Sequence, residues 1–138
     1  MAKHNQIGKI GEDIACKWLI SKGFTIIEQN YWKKFGEIDI VARLPGRQAG
    51  VTGKIHLIEV KSVSYGTNGD LEYAVSHETW RPVENVHKEK QRRLKNAIEV
   101  WLLENKYVGE WQIDIMMVRI VPREKYALVE VLDNVIFE

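Results

Sequence analysis

The chain has 138 residues, of which 45% are hydrophobic and 28% are charged, and its formal net charge at pH 7 is +1. This size and composition are typical of one globular domain, which we expect to span residues 1–138. No segment has the roughly 20 apolar residues of a membrane span, and the N-terminus lacks the apolar core of a signal peptide. The single cysteine, Cys16, excludes an internal disulfide. We therefore expect a cytoplasmic protein with no membrane partner.

A first helix is predicted over residues 6–22, because apolar residues recur there at the spacing of one helix face: Ile7, Ile10, Ile14 and Trp18. Glu12 falls within the apolar sector of this helix. A carboxylate in such surroundings needs a hydrogen-bonding partner or a cation. Glu12 is therefore a candidate functional residue.

Three strands are predicted next, over residues 24–31, 36–43 and 54–63. The first two are joined by a short turn, and the connection over residues 44–53 contains three glycines and one proline. This succession favours an antiparallel meander. Acidic residues stand within the apolar second and third strands, which is unusual for core-forming segments.

These residues suit metal-dependent hydrolysis of a phosphodiester. Asp39 and Glu59 can offer carboxylate oxygens to Mg²⁺ or Mn²⁺, and the carbonyl of Val60 can add another oxygen. Lys61 shares a strand face with Glu59 and can orient the attacking water or stabilise developing negative charge. Glu12 is a candidate outer ligand. The competing interpretation is an ordinary strand with polar residues facing outward, which produces the same pattern.

A second long helix is predicted over residues 84–105 from a strong apolar stripe: Leu94, Ala97, Ile98, Trp101 and Leu102. Lys90 and Gln91 interrupt this stripe near the helix start, where a cation also opposes the helix macrodipole. The residues around this point are candidate nucleic-acid contacts: Lys88, Lys90, Gln91, Arg92 and Arg93. The alternative is a solvated helix face.

The remaining segments complete an α/β pattern. Residues 64–83 have no clear periodicity, although residues 71–75 fit a short helix or strand. Strands are predicted over residues 111–120 and 126–132, and residues 135–137 are candidates to extend the sheet edge. The order αβββ-α-ββ predicts a central mixed β-sheet flanked by two long helices. Trp32 and Trp80 lie in predicted turns and are candidates for stacking on nucleic-acid bases.

The sequence resembles the YraN-like bacterial proteins, a family of predicted nucleases with the PD-(D/E)xK, or restriction-endonuclease-like, fold. The resemblance covers nearly the whole chain. Five motifs carry it, in the family's order: Gly8-x-x-Gly11-Glu12-x-x-Ala15 with Gly23-Phe24, Asn30-Tyr31 with Gly36-Glu37-Ile38-Asp39-Ile40-Val41, Ile58-Glu59-Val60-Lys61, Lys90-x-x-Arg93-Leu94-x-x-Ala97, and Asp114. The chain departs from the family at Ser62-Val63 and Gln112-Ile113, and residues 76–87 form a longer segment than usual.

The resemblance implies a restriction-endonuclease-like core, similar to that of archaeal Holliday junction resolvases. In that comparison Glu12, Asp39, Glu59 and Lys61 match active-site positions, and Lys90 or Gln91 matches an accessory residue on the helix. It further implies Mg²⁺ or Mn²⁺ as cofactor, DNA, including branched DNA, as substrate, and a homodimer as a candidate assembly. Two alternatives stay open: a non-catalytic nucleic-acid-binding module on the same scaffold, and a protein-interaction domain whose acidic residues are incidental.

Overall fold

The computed structural model describes residues 3–46, 52–77 and 87–137. Over these ranges the chain forms three α-helices and five β-strands, numbered in chain order: α1 (Lys3–Ser21), β1 (Thr25–Lys33), β2 (Gly36–Pro45), β3 (Thr52–Ser64), α2 (Asn68–His77), α3 (Lys88–Glu104), β4 (Trp111–Val121) and β5 (Tyr126–Leu132). A short 3-10 turn, Pro122–Glu124, joins β4 to β5. None of the described helices is both long and apolar enough to cross a membrane.

The five strands form one sheet in the order β1-β2-β3-β4-β5. Neighbouring strands are antiparallel except β3 and β4, which are parallel. Parallel neighbours require a crossover connection, and the segment that contains α2 and α3 supplies it. The predicted α/β class, the antiparallel meander of β1 to β3 and the mixed sheet are therefore confirmed.

Each face of the sheet has its own buried cluster. On one face α1 packs with Ala15, Cys16 and Leu19 against residues of the central strands, including Ile40 and Ile58. On the other face α3 contributes the residues of the predicted apolar stripe that are buried: Leu94, Ala97, Ile98 and Trp101. The two long helices thus cover opposite faces of the sheet, as the predicted stripes require.

The predicted order αβββ-α-ββ lacks one helix. The structure has a third helix, α2, between β3 and α3. Its N-terminus is capped by Thr67, whose Oγ1 accepts a 3.1 Å hydrogen bond from the N–H of Asp70. Leu71 is its one buried residue among those described. With so little apolar surface to bury, the segment shows no periodicity in the sequence, and the cap is its clearest signal.

The ends of two predicted elements also differ from expectation. The predicted second helix is α3, which begins at Lys88; positions 84–86 lie outside the described residues. Beyond β5 the chain does not continue as a strand. It stays beside β4, since the N–H of Val135 donates a 2.7 Å hydrogen bond to the carbonyl of Ile113.

Candidate metal centre

The predicted carboxylates lie where β2 and β3 separate. Backbone pairing between these strands reaches the pair Ile40↔Ile58 and stops. At the next residue towards the start of β2, Asp39, the hydrogen-bond acceptor for β3 is a side chain instead of a backbone carbonyl. Oδ2 of Asp39 accepts a 2.7 Å hydrogen bond from the buried N–H of Val60. This bond fixes the Asp39 carboxylate in the gap between the two strands.

The backbone around Asp39 is irregular. Ile38 belongs to the buried cluster beneath α3, whereas Ile40, two residues later, belongs to the cluster beneath α1. A regular strand would place both side chains on one face. On β1, Asn30 lies opposite Asp39 in the register and has a φ of 53°, a left-handed conformation that asparagine tolerates. The distortion leaves Asp39 between the two layers, within reach of groups from both helices.

Glu59 is the most deeply buried of the four predicted active-site residues, with 1% of its surface exposed. Its Oε1 lies 2.5 Å from Nζ of Lys90, on α3. Neither carboxylate oxygen makes a hydrogen bond of good geometry with the described residues, so the contact with Lys90 is an ion pair. Burial and then the charge of Asp39 raise the pKa of Glu59 to about 8, although the Lys90 ammonium opposes this rise. The Glu59 carboxylate thus lies where added positive charge would stabilise it.

The helix α1 brings Glu12 to the same region because Gly11 allows it to approach β3 closely. A Cβ atom at Gly11 would lie 1.8 Å from Oγ of Ser62 and 2.8 Å from its Cβ, so a larger residue would displace the helix. Burial and then the negative charge of Asp39 raise the pKa of Glu12 to about 7. Glu12 is therefore coupled to Asp39, as an outer carboxylate would be.

Lys61 follows Glu59 on the same face of β3 and is half-buried. Burial and then the positive charge of Lys90 lower its pKa, while Glu59 and Asp39 act in the opposite direction. Lys61 is thus a partly desolvated amine beside two carboxylates. Such a group can place positive charge next to a bound phosphate.

The structure brings Glu12, Asp39, Glu59 and Lys61 into one electrostatically coupled group. Within residues 3–46, 52–77 and 87–137, however, no three carboxylate, imidazole or thiolate side chains are arranged as a ready-made metal site. In the present arrangement the Val60 N–H engages Asp39, and the Lys90 ammonium engages Glu59.

The donor set nevertheless fits a hard divalent cation. Within a strand, the N–H and C=O groups of one residue point towards the same neighbouring strand. Because the N–H of Val60 points at Asp39, its carbonyl faces the same gap. Carboxylate and carbonyl oxygens are the ligands that Mg²⁺ and Mn²⁺ prefer. The buried Glu59 oxygens without hydrogen bonds would gain from such an ion, provided that Lys90 gives way.

The predicted nucleic-acid contacts at the start of α3 are divided between two faces of the helix. Lys90 points towards Glu59, and Arg93 donates a 3.3 Å hydrogen bond to the carbonyl of Lys34 in the β1–β2 turn. Lys88 and Arg92 are exposed, and Arg92 is paired with Glu89. Gln91 is half-buried and lines a surface groove with the two exposed cations. The outward cations are therefore separate from the carboxylate centre.

Of the two tryptophans predicted to contact bases, Trp32 is within the described residues. Trp32, near the end of β1, has 64% of its surface exposed, which leaves its ring accessible for stacking. Trp80 lies outside the described residues.

Asp114, from the last motif, lies outside the coupled group. Its Oδ2 is 2.6 Å from Nδ1 of His56, and its Oδ1 accepts hydrogen bonds from the side chain of Gln112 and the N–H of Asn134. These partners satisfy both oxygens and tie the C-terminal segment to β3 and β4. Asp114 therefore has a structural role in the fold.

One surface cavity in the described part of the chain lies away from the coupled residues. It has a volume of about 600 Å³ and is found near the ends of β2 and α3, lined by Arg43, Lys54 and Tyr107 among others. None of the coupled carboxylates lines it, so it offers no place for metal-assisted hydrolysis.

The fold and the site together define a class of protein. It is an α/β protein whose five-stranded mixed sheet is compatible with the restriction-endonuclease-like fold and whose diverging central strands carry coupled carboxylates and lysines. A family profile described as "Uncharacterised protein family UPF0102" matches residues 11–120, and the chain belongs to this family. The YraN-like family predicted from the sequence is thus confirmed.

Relatives from distant bacteria match most of the chain. A UPF0102 protein of Dictyoglomus turgidum is 36% identical over 134 residues, covering 95% of this chain and 97% of the relative. A UPF0102 protein of Thermotoga maritima is 37% identical over 114 residues, covering 83% and 85%. One from Campylobacter concisus is 31% identical over 128 residues, covering 93% and 94%. Each match covers more than four fifths of both chains.

Proposed function

We propose that this protein is a metal-dependent endonuclease that hydrolyses phosphodiester bonds of DNA, with branched DNA as a candidate substrate. One observation carries the proposal. At the point where β2 and β3 diverge, the carboxylates of Asp39 and Glu59 are coupled to each other and to the amine of Lys61. An acidic pair can hold a divalent cation for phosphodiester hydrolysis, and an adjacent lysine can stabilise the charge that develops on the phosphate.

Each residue has a defined role in this proposal. Mg²⁺ or Mn²⁺, when bound, would supply a Lewis acid for a phosphate oxygen and a water of lowered pKa. Asp39 and Glu59, with the Val60 carbonyl, would hold the ion. Lys61 would place its positive charge beside the phosphate, where negative charge gathers in the transition state. Glu12 would orient the ion's outer shell through its interaction with Asp39.

The proposed DNA contacts follow from charge and exposure. Lys88 and Arg92 project from the start of α3, and exposed Trp32 offers an aromatic face near the β1–β2 turn. Arg93 anchors that turn through its contact with Lys34. We include a homodimer in the proposal, since two sites related by a two-fold axis would match the symmetry of a four-way junction.

A second candidate is a nucleic-acid-binding module that does not cut. The contact between Lys90 and Glu59 favours it, because this ammonium neutralises the buried carboxylate without any metal ion. In that case the ion pair between Glu59 and Lys90 would stabilise the packing of α3 against the sheet. Nucleic acid would then bind only to the exposed residues at the start of α3.

The test compares purified wild-type protein with Asp39→Asn and Lys61→Met on duplex, single-stranded, flap and four-way-junction DNA, with Mn²⁺ or with EDTA. Asp13→Asn is the matched control, because Asp13 is an exposed acid next to Glu12. The endonuclease should cut at least one substrate only with Mn²⁺. Both site variants should lose cutting, and Asp13→Asn should retain it.

Two other outcomes decide against the endonuclease. Binding of DNA without cleavage of any substrate would support the non-catalytic module. Cleavage that survives in both Asp39→Asn and Lys61→Met would mean that a different site or a contaminant hydrolyses the DNA.

A further inference from the structure

The pairing of Lys90 with Glu59 is unusual for a helix start. Lys90 is the third residue of α3, where its positive charge opposes the helix macrodipole. Its Nζ nevertheless lies 2.5 Å from Oε1 of Glu59. Contacts other than the ion pair also position α3 against the sheet. One of them is the close approach of Gly36 to the carbonyl of Arg93. The local energetics of α3 therefore do not explain why a lysine stands at position 90.

The two partners differ in their access to water. Glu59 is 1% exposed, whereas the side chain of Lys90 is 36% exposed. A lysine has a flexible four-carbon stem and can move its ammonium into water, but a glutamate anchored in a central strand cannot follow. The ion pair can therefore open in one direction only, by movement of Lys90.

Lys61 does not replace Lys90 in this role. It lies on the same face of β3 as Glu59, but no ion pair within 4 Å joins it to a described carboxylate. Lys90 is thus the cation that directly contacts a Glu59 oxygen in the described part of the chain. That oxygen is one that the proposed function assigns to a metal ion.

We propose that Lys90 is a built-in counter-ion that competes with the divalent cation for Glu59. Without metal, its ammonium is the cation that pairs with Glu59 once that group is ionised, and the pairing keeps the centre stable. When a divalent cation binds, the two positive charges repel each other at short range, and the ammonium moves off Glu59 towards solvent. This inference rests on the proposed function, because it takes Asp39 and Glu59 to be metal ligands. Lys90 is therefore a positioning residue that sets how readily the centre accepts metal.

The first experiment measures Mn²⁺ binding by calorimetry to wild-type protein and to Lys90→Met, which keeps the stem and removes the charge. Lys95→Met is the matched control, because Lys95 is an exposed lysine on the same helix. Loss of a competing charge should tighten Mn²⁺ binding by about tenfold in Lys90→Met and leave it unchanged in Lys95→Met. In EDTA, Lys90→Met should melt at a lower temperature than wild type, and Mn²⁺ should restore more of its stability.

A substitution that leaves Glu59 without its cation can impair folding, so Lys90→Gln serves as a second variant that keeps a hydrogen-bond donor. A third readout uses the wild-type protein. The ¹⁵Nζ–H signal of an ion-paired lysine is protected from exchange with water, and saturating Mg²⁺ should shift and broaden the Lys90 signal as the ammonium is released.

The outcomes separate the two proposals. Mn²⁺ binding that is equal or weaker in both Lys90 variants, or a Lys90 signal that saturating Mg²⁺ leaves unchanged, would overturn the counter-ion role while the metal site stands. Absence of Mn²⁺ binding to wild type and to every variant would overturn the metal site itself and the counter-ion role with it.

Discussion

Asp39 supports the backbone as well as the candidate metal centre. Its Oδ2 is the acceptor for the buried N–H of Val60, at a point where β3 has lost its pairing with β2. An unpaired buried N–H is costly, so a substitution at this position can change stability and metal binding together. The two effects need different variants to be told apart.

We expect Asp39→Ala to lower the free energy of unfolding by about 1–3 kcal/mol, because it leaves the Val60 N–H without an acceptor. Asp39→Asn keeps a carbonyl oxygen in the same place and should retain most of the stability. Both variants should lose Mn²⁺ binding, since neither keeps the carboxylate. Urea unfolding and calorimetry would measure the two effects. Equal stability of Asp39→Ala and wild type would show that this hydrogen bond contributes little.

The raised pKa values of Glu12 and Glu59 predict how stability depends on pH. A carboxyl group with a raised pKa binds its proton more tightly in the folded state than in the unfolded state, where the pKa is near 4.5. From about pH 4.5 to about pH 8 the folded protein therefore holds more protons, and its stability falls as the pH rises. This trend is opposite to that of a salt-bridged surface carboxylate with a lowered pKa.

In EDTA, the free energy of unfolding should decrease by several kcal/mol between pH 5 and pH 8. Glu59→Gln cannot ionise and should flatten most of this dependence. Glu99→Gln replaces an exposed acid on α3 and should leave the dependence unchanged. Urea unfolding at four pH values would measure it. Stability of the wild type that stays constant or rises over this range would contradict the assigned pKa shifts.

Among the elements, α3 and the β1–β2 turn depend on one close contact. A Cβ atom at Gly36 would lie 2.0 Å from the carbonyl oxygen of Arg93 and 3.0 Å from the N atom of Ala97. Both are backbone atoms of α3, so a side chain at this position would force the helix away from the sheet. The same helix carries Lys90, and Gly36 therefore controls the distance between Lys90 and Glu59.

We expect Gly36→Ala to destabilise the protein by several kcal/mol, on the order of an overpacked core site. Gly8→Ala is the control within α1, where a Cβ atom would have no neighbour within 4 Å. Because alanine favours a helix over glycine, Gly8→Ala should be neutral or stabilise by about 1 kcal/mol. Thermal unfolding would compare the two. Equal melting temperatures for Gly36→Ala and wild type would mean that α3 can shift without cost.

The long elements could be predicted from the sequence because each has a periodic apolar face. The stripe from Leu94 to Trp101 and the alternation in β3 follow from burial against the opposite layer. The helix α2 could not be predicted in this way, since it buries only Leu71 among its described residues. Its helical state depends on the Thr67 cap and on contacts that are distant in sequence.

The candidate site could be predicted as a set of residues but not as an arrangement. Acidic residues within apolar strands, and Lys90 within an apolar stripe, are visible in the sequence because they violate the local pattern. The pairing of Lys90 with Glu59 joins residues 31 positions apart, and no local pattern specifies it. No local pattern specifies the left-handed backbone of Asn30 either, because its place opposite Asp39 depends on how β1 pairs with β2 in the folded sheet.

At the scale of the whole molecule, the charged side chains are distributed unevenly, although the net charge is only +1. Exposed cations gather at the start of α3, on a different face of the helix from the centre of carboxylates, which would repel DNA in the absence of metal. DNA affinity should therefore depend on a small number of local phosphate contacts rather than on overall charge. The dependence of affinity on salt concentration reports the number of such contacts.

We expect Lys88→Gln combined with Arg92→Gln to weaken binding to a four-way junction and to reduce the slope of log affinity against log salt by up to about 1.8, or about 0.9 for each lost contact. The reduction should be smaller if Glu89 keeps Arg92 engaged in its ion pair. Lys17→Gln with Lys125→Gln removes the same charge from exposed positions elsewhere and is the control. Fluorescence anisotropy between 50 and 200 mM KCl would measure both. Equal losses in the two double variants would show that DNA senses only the net charge, and the start of α3 would then have no special role in binding.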